Sequence, residues 1–465
     1  MRTLCCVTVF GMVLGLAADC GAKEFHAAPG GADEAGGSVG AGEAAEKSCA
    51  GKVVLAHQFD TKGFGTRTGL RLGDLDGDGR RDIVVAQNRS QNITCVTALD
   101  VTGKRLWRIG RPKADNHRAS FDLPVQIYDI DGDGRSEVVY VAGGRLKIAD
   151  GKTGELERQG PLPAANANDC IAFANFSDRD RPRDIVVKTR YNQVWALDPG
   201  LNVLWTHKGN TGHYPWPHDF DGDGRDELVC GFSLLEHDGT KRWEAKLPGH
   251  ADAIAVGDVD GNPATGVHGK EIALACCGGN TFALLDRDGR IRWKHGCGHS
   301  QHIIIGDFRP DLPGKELAAL DRGNDRSAKG VDALLLYASD GKQLWREERT
   351  DAGPNRWLTI LSTVRHWDGR GADLILAYRR GGSICPTLYD GHGRAVATFP
   401  FPHPERHHFA QHADMFGDAR EEIVVWNESQ VCIYTNGAPC DGKTKPDRRR
   451  PDKRLYNYTH YIGMP

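Results

Sequence analysis

The chain has 465 residues, 59 basic against 62 acidic, for a net charge of −3. That balance excludes the basic footprint of a nucleic-acid binder or of a protein for strongly anionic membranes, and leaves only a local cationic cluster for an anionic ligand. With 58 glycines and 4 methionines, the composition suits turn-rich β structure better than helical bundles.

Met1-Arg2 followed by the apolar run from Leu4 to Ala18 reads as a signal peptide over 1–22, cleaved between Ala17 and Ala22. The run is short for a bilayer, and no later segment approaches membrane length. The expectation is a secreted or periplasmic protein with no membrane span. Cys20 would be the site of a lipoprotein anchor, but Asp19 stands where that signal wants a small residue. Lys23 to Lys47 are Gly, Ala and Glu with almost no large apolar side chains, so 23–50 reads as a disordered linker. A β-propeller domain is predicted over 51–465, its ordered body starting near Val53. Export permits disulfides. Ten cysteines run from Cys49 to Cys440 without a CxxC pair, which argues against a zinc ribbon; Cys432 and Cys440 could join across a terminal turn.

From Val53 onward one unit recurs. It reads Gly73-Asp74-Leu75-Asp76-Gly77-Asp78-Gly79-Arg80-Arg81-Asp82-Ile83, returns from Asp129 to Glu137, and returns again from Asp219 to Glu227. Degenerate copies lie at Asn175 to Asp184, Asp258-Val259-Asp260 to Glu271, Asp307 to Glu316, Asp368 to Asp373 and Asp414 to Glu422. A second hairpin follows each, often ending Gly-x-x-x-Trp, as at Trp107, Trp243, Trp293 and Trp345. The spacing is roughly 45 to 50 residues, one four-stranded propeller blade. A blade cannot bury both faces alone, so the array must close on itself. The predicted fold is all-β, a single propeller of eight blades, or seven if an outer copy is irregular.

Asp-x-Asp-Gly-Asp-Gly sets three carboxylates on one tight turn, and a fourth acid opens the returning strand. Hard oxygen donors converging in this way suit calcium rather than zinc. The expected ligands are Asp74, Asp76, Asp78 and Asp82; Asp129, Asp131, Asp133 and Glu137; Asp219, Asp221, Asp223 and Glu227; and, in a degenerate copy, Asp258 and Asp260. Such calcium is structural.

The acidic loops resemble the FG-GAP repeats of integrin-type propellers. The runs Gly209-Asn210-Thr211-Gly212-His213, Glu236-His237-Asp238-Gly239 and Gly249-His250-Ala251-Asp252-Ala253 resemble the propeller of the family 11 rhamnogalacturonan lyases. So do Ala413-Asp414-Met415-Phe416-Gly417-Asp418 through Trp426 and the closing Arg454-Leu455-Tyr456. The resemblance covers about Leu70 to Tyr456. It implies an eight-bladed propeller with several calcium ions and β-elimination on a uronate polysaccharide, with His213 and His250 lining the cleft. Two departures stand out: the small β-domain preceding many such propellers is missing, and His302 stands where the family has a cleft arginine. Ulvan-type propeller lyases, with His, Tyr and Arg in a similar cleft, are the alternative for the substrate.

Blade topology puts the acidic loops on one face and gathers at the other the residues before each first strand and after each second strand. These are His213-Tyr214, His250, His299, His302, His407-His408 and His412, with Arg89, Arg190-Tyr191, Arg322 and Arg379-Arg380 on the return side. The run His295-Gly296-Cys297-Gly298-His299 is dense in zinc donors, although strand alternation turns neighbours to opposite faces.

A lyase must take the proton α to a uronate carboxylate and expel the neighbouring sugar oxygen, with a cation neutralising the carboxylate. The expected roles are His213 or His250 as base or cation ligand, Arg190 as neutraliser, and Tyr191 or His302 as proton donor. Hydrolysis by paired carboxylates is disfavoured because the acids fall in the far-face loops. The expected partner is an acidic polysaccharide, and the expected state a monomer. The competing function is a non-catalytic propeller binding glycan or protein through the same funnel. A quinone-dependent dehydrogenase, suggested by the Gly-x-x-x-Trp repeats, is opposed by the acidic loops.

Overall fold

The computed structural model describes residues 53–113, 122–177, 180–261, 270–323, 332–349, 358–367, 371–379, 384–402 and 408–438. The expected signal peptide 1–22 with Cys20, the expected linker 23–50, Asp368, Arg380, His407, Cys440 and the closing Arg454-Leu455-Tyr456 lie outside the described residues.

Each repeat unit is two hairpins of short strands, the inner ones mostly apolar and the outermost polar and exposed, and eight such units make eight four-stranded antiparallel sheets from strands β1 to β32. Eight blades is therefore the correct count. Seven blades take their strands in chain order, the first being β2 (Leu70–Gly73), β3 (Asp82–Arg89), β4 (Asn92–Leu99) and β5 (Arg105–Gly110). The eighth combines β30 (Phe409–Ala413), β31 (Glu422–Trp426) and β32 (Gln430–Asn436) with β1 (Val53–Asp60) as its outermost strand, paired from Val53↔Asn436 to Asp60↔Gln430. The two ends of the ring are thus joined by backbone hydrogen bonds, which removes the exposed edges of an open array. No helix among the described residues is long and apolar enough to cross a membrane.

Two local devices repeat around the ring. In seven blades the acid that opens the second strand accepts a backbone N–H from the loop: Asp82 from Leu75, Glu137 from Ile130, Asp184 from Phe176, Glu227 from Phe220, Glu271 from Val259, Glu316 from Arg309 and Glu422 from Met415, at 2.7 to 3.1 Å. This clasp is present even where the other loop acids are missing. The second device joins blades. Trp107, Trp205, Trp243, Trp293 and Trp345 each donate the indole N–H to a carbonyl of the next blade, those of Gly151, His237, Arg287, Ser339 and Gly391. A glycine of that next blade lies flat on the ring. At Gly289 (φ +79°) a β-carbon would stand 2.6 Å from Trp243, so both the backbone and the space require glycine. The Gly-x-x-x-Trp signature is therefore an inter-blade fastener, which accounts for it without a quinone.

Candidate active cleft

Three first strands carry a bulge near their funnel ends: β10 (Asp169–Ala174) at Cys170, β18 (Gly249–Gly257) at Asp252 and β22 (Ser300–Gly306) at Gln301. A bulge takes one residue out of register and re-aims its side chain. Here it turns Asp252 and Gln301 toward each other, with Gln301 Nε2 donating to Asp252 Oδ2 at 3.3 Å.

Around Asp252 the site assembles from neighbouring blades. His213 sits just before β14 (Trp216–His218), and its backbone N–H donates to Ala251 O at 2.9 Å, which fixes it beside β18. His213 Nε2 lies 3.1 Å and His250 Nε2 3.0 Å from Asp252 Oδ1. Both contacts lack the alignment of a hydrogen bond, so Oδ1 is a buried charged oxygen with no aligned donor. An imidazolium or a cation would neutralise it. The Tyr191 hydroxyl is 3.2 Å from His213 Nε2, and the rings of Tyr191, His213 and His250 stand 5.0 to 5.5 Å apart. The two histidines differ in exposure: His213 is buried, whereas His250 keeps 28% of its side chain exposed.

Arg190 and Tyr191 follow β11 (Asp184–Lys188). The Arg190 guanidinium lies 5.1 Å from the Tyr191 ring centroid and 3.7 Å from Asp169 Oδ2. Nearly buried, it shares its charge with Asp169 instead of standing open in the funnel. Lys188, the last residue of a fully buried strand, explains the local order. Its Nζ reaches Asp169 Oδ2 at 3.1 Å and donates to the carbonyls of Arg190, Gly212 and His213. One buried ammonium thus ties the Arg190-Tyr191 turn to the His213 turn. Lys188, Asp169 and Asp252 were not among the sequence candidates. Their one signal is a charged residue at the funnel end of an otherwise apolar strand.

The other candidates divide. His302 is buried on β22 opposite Leu320, next to Gln301. Arg322 follows β23 (Glu316–Asp321) and donates to Gln301 Oε1 at 2.8 Å. Arg379 follows β27 (Leu374–Tyr378); its pKa is lowered by burial and by the nearby Arg322, so the funnel holds two mutually repelling guanidinium groups. Arg89 ends β3, exposed. His408 is buried, its Nε2 2.8 Å from Ile384 O, and Tyr214 is buried in the core between blades. His412 belongs elsewhere. It is near the far end of β30, with Nδ1 3.1 Å from Glu421 Oε2, because the strand is short and residue 412 has already crossed the blade. The expectation that acids fall only on the far face is also corrected. Asp169, Asp252, Asp321 and Asp332 lie at funnel ends of strands, where no repeat motif announces them.

His295, Cys297 and His299 do not converge. His295 stacks on Tyr337 with its Nε2 2.8 Å from Gly341 O, Cys297 packs against the core, and His299 turns to Cys277 and Asp252. They part because β21 (Ile291–Gly296) ends before Cys297, and Cys297 to His299 cross to the next blade.

On the far face, Asp74 accepts from the N–H groups of Gly77 and Gly79, and Asp129 and Asp219 are held in the same way. Donor oxygens of Asp74, Asp76 and Asp78 lie within 4.8 Å of one another, as do those of Asp129, Asp131 and Glu137. Burial, reinforced by the neighbouring loop acids, pushes Asp82 up to about 7, Glu137 to about 8 and Glu227 to about 7. Arginines enter some loops: Arg181 pairs with Asp129, and Arg242 lies 2.6 Å from Asp221 and 3.5 Å from Glu227. In the degenerate fifth blade, Arg292 bridges Asp260 and Glu271 at 2.8 and 2.9 Å, so a guanidinium supplies the positive charge there.

No family model matches the chain. It is 27% identical to the rhamnogalacturonan endolyase YesW of Bacillus subtilis (strain 168), over 83% of this chain and 70% of that protein. It is 25% identical to the rhamnogalacturonan exolyase YesX of the same organism, over 78% and 70%. The solved structure of the lyase YesW superposes with a TM-score of 0.56 at 20% identity, covering 80% of this chain and 72% of the other. A rhamnogalacturonan lyase structure from Bacillus licheniformis gives 0.55 at 20% identity, covering 79% and 71%. At that identity the structural likeness speaks for the fold.

Proposed function

The chain is a propeller like those of the family 11 rhamnogalacturonan lyases, and from that premise we propose that it is a polysaccharide lyase acting on a uronate-containing polymer by β-elimination. The observation that carries the proposal is the convergence of His213, His250 and Tyr191 on the buried Asp252, beside Arg190.

His250, the exposed member of the pair, takes the proton α to the uronate carboxylate. The resulting imidazolium is stabilised by Asp252, 3.0 Å away. His213, beneath it, positions Tyr191, whose hydroxyl protonates the departing sugar oxygen; this role goes to Tyr191 and not His302 because of its place beside His213. The carboxylate is met by the guanidinium groups of Arg322 and Arg379, which lower the cost of the enolate-like charge, while Arg190, paired with Asp169, holds the Tyr191 ring.

The test is incubation of the full chain with rhamnogalacturonan and with ulvan, following the ultraviolet absorbance of the unsaturated uronate. Product from one of them is expected, with His250→Ala and Tyr191→Phe lowering the rate roughly 10²–10⁴-fold while the melting temperature holds. Glycan binding without unsaturated product on either polymer would replace the lyase with a binding propeller.

Calcium in the three complete loops is part of the same proposal. Converging carboxylates support it in the first two, Asp74, Asp76 and Asp78 and then Asp129, Asp131 and Glu137, and burial raises the pKa of Asp82, Glu137 and Glu227, which a bound cation would offset. Export directed by residues 1–22 fits a polymer too large to enter a cell.

A further inference from the structure

We propose that Asp252, Cys277 and His299 form a binding site for a zinc-class divalent ion, on the opposite side of the carboxylate from the histidine pair. The spacing of the donors carries this. Asp252 Oδ1 faces His213 and His250 at 3.0 to 3.1 Å, the range of direct polar contact. On the Oδ2 side, His299 Nε2 is 3.9 Å from Oδ2 and shares a sulfur hydrogen bond of 3.7 Å with Cys277 Sγ, and the three donor atoms all lie within 4.8 Å of one another. An N···O separation of 3.9 Å is too long for a hydrogen bond. Two ligands of one tetrahedral zinc, at Zn–S and Zn–N lengths near 2.3 and 2.0–2.1 Å, stand about 3.5 Å apart, so the Cys277–His299 pair is within a few tenths of an ångström of ligand spacing.

The supports are those a metal ligand needs. Cys277, on β19 (Glu271–Gly278), lies opposite His250 in the sheet, and Asp252 is held out of register by its bulge. His299 is fixed by its backbone N–H donating to Asp321 Oδ1 at 2.8 Å, and its carbonyl accepts from the Arg322 N–H at 2.9 Å. Gln301 orients Oδ2 of Asp252 and is itself oriented by Arg322. A thiol, an imidazole and a carboxylate select zinc or cobalt over calcium, which prefers oxygen alone. Cys277 and His299 are half-buried, which leaves a path to the funnel, and three protein donors leave a fourth position for water or a substrate oxygen. This ligand set takes two members, Asp252 and Cys277, that were not among the candidate ligands, and keeps only His299 of the sequence grouping. The site does not depend on the chain's being a lyase.

The experiment uses the full chain, stripped with chelator, then given zinc or cobalt and dialysed. One zinc per chain is expected, beyond the calcium content, and the cobalt form should show near-ultraviolet thiolate-to-cobalt charge transfer. Cys277→Ser should abolish that band, and both Cys277→Ser and His299→Gln should weaken zinc binding by roughly two orders of magnitude. Cys297→Ser and His295→Ala should leave band and stoichiometry intact. A cobalt band that survives Cys277→Ser, loss of the band in Cys297→Ser, or zinc content unchanged by His299→Gln would each overturn the assignment. If Cys277→Ser does not fold, His299→Gln and Cys297→Ser still decide it.

Discussion

Lys188 shows how much of the cleft rests on one side chain outside the reacting groups. A fully buried ammonium is costly unless paired, and here it has one carboxylate and three carbonyls as partners. Because two of those carbonyls belong to Gly212 and His213, the same contacts that satisfy the charge set the His213 turn. Lys188→Met should therefore leave buried Asp169 with the Asp122 N–H and, as its cation, only the more distant Arg190, lowering stability by roughly 3 kcal/mol in urea unfolding. It should also reduce unsaturated-product formation beyond that loss of fold, because the Arg190-Tyr191 and His213 turns would no longer share an anchor. Equal activity in the folded fraction would show that packing of β11 alone positions them.

Among the repeated elements, the strand-opening acid is the most uniform feature, and it explains why the degenerate copies keep their blades. Asp184, Glu316 and Glu422 hold their loop N–H without a full set of loop acids. Glu422 also accepts from the Thr435 hydroxyl at 2.9 Å. Burial pushes its pKa from 4.5 up to about 8. A raised acid pKa in the folded state means that the unfolded chain loses its proton first. The favourable contribution is thus complete below about pH 4.5 and lost as pH rises to about 8. In chelator, Glu422→Gln keeps an acceptor for Met415 and should flatten the stability profile across that window, with a gain on the order of 1 kcal/mol at its upper end. An unchanged slope between acid and neutral pH would show that Glu422 titrates normally.

For the ring as a whole, closure and cations act together. β1 supplies the eighth blade with its outer strand, and the tryptophan fasteners couple blade to blade, so stability is shared around the circle. Three loops that concentrate carboxylates on tight turns add local repulsion, which bound calcium would reverse. Excess chelator should lower the melting temperature by roughly 5 °C or more, and Asp129→Asn should shrink that shift. A melting temperature indifferent to chelator would mean that Arg181, Arg242 and Arg292 already supply the charge the loops require.

What the sequence determined by itself was whatever the repeat encodes. The period, the acidic turns and the Gly-x-x-x-Trp spacing favour eight blades over seven and tell which strand ends share a face, since each is a local pattern written many times over. His213, His250, Tyr191 and Arg190 were legible for the same reason, as residues at equivalent strand ends. Only the tertiary structure decided how they meet. Asp252 owes its place to a bulge, Lys188 reaches two turns through the interior, Arg190 turns to Asp169, and His412 falls at the wrong end of a short strand. His295, Cys297 and His299 part because β21 ends at Gly296 and the chain then crosses to the next blade, while Cys277 meets His299 from another strand. Such contacts depend on register and on which blade lies next to which, quantities set by packing around the closed ring rather than by any residue's neighbours in the chain.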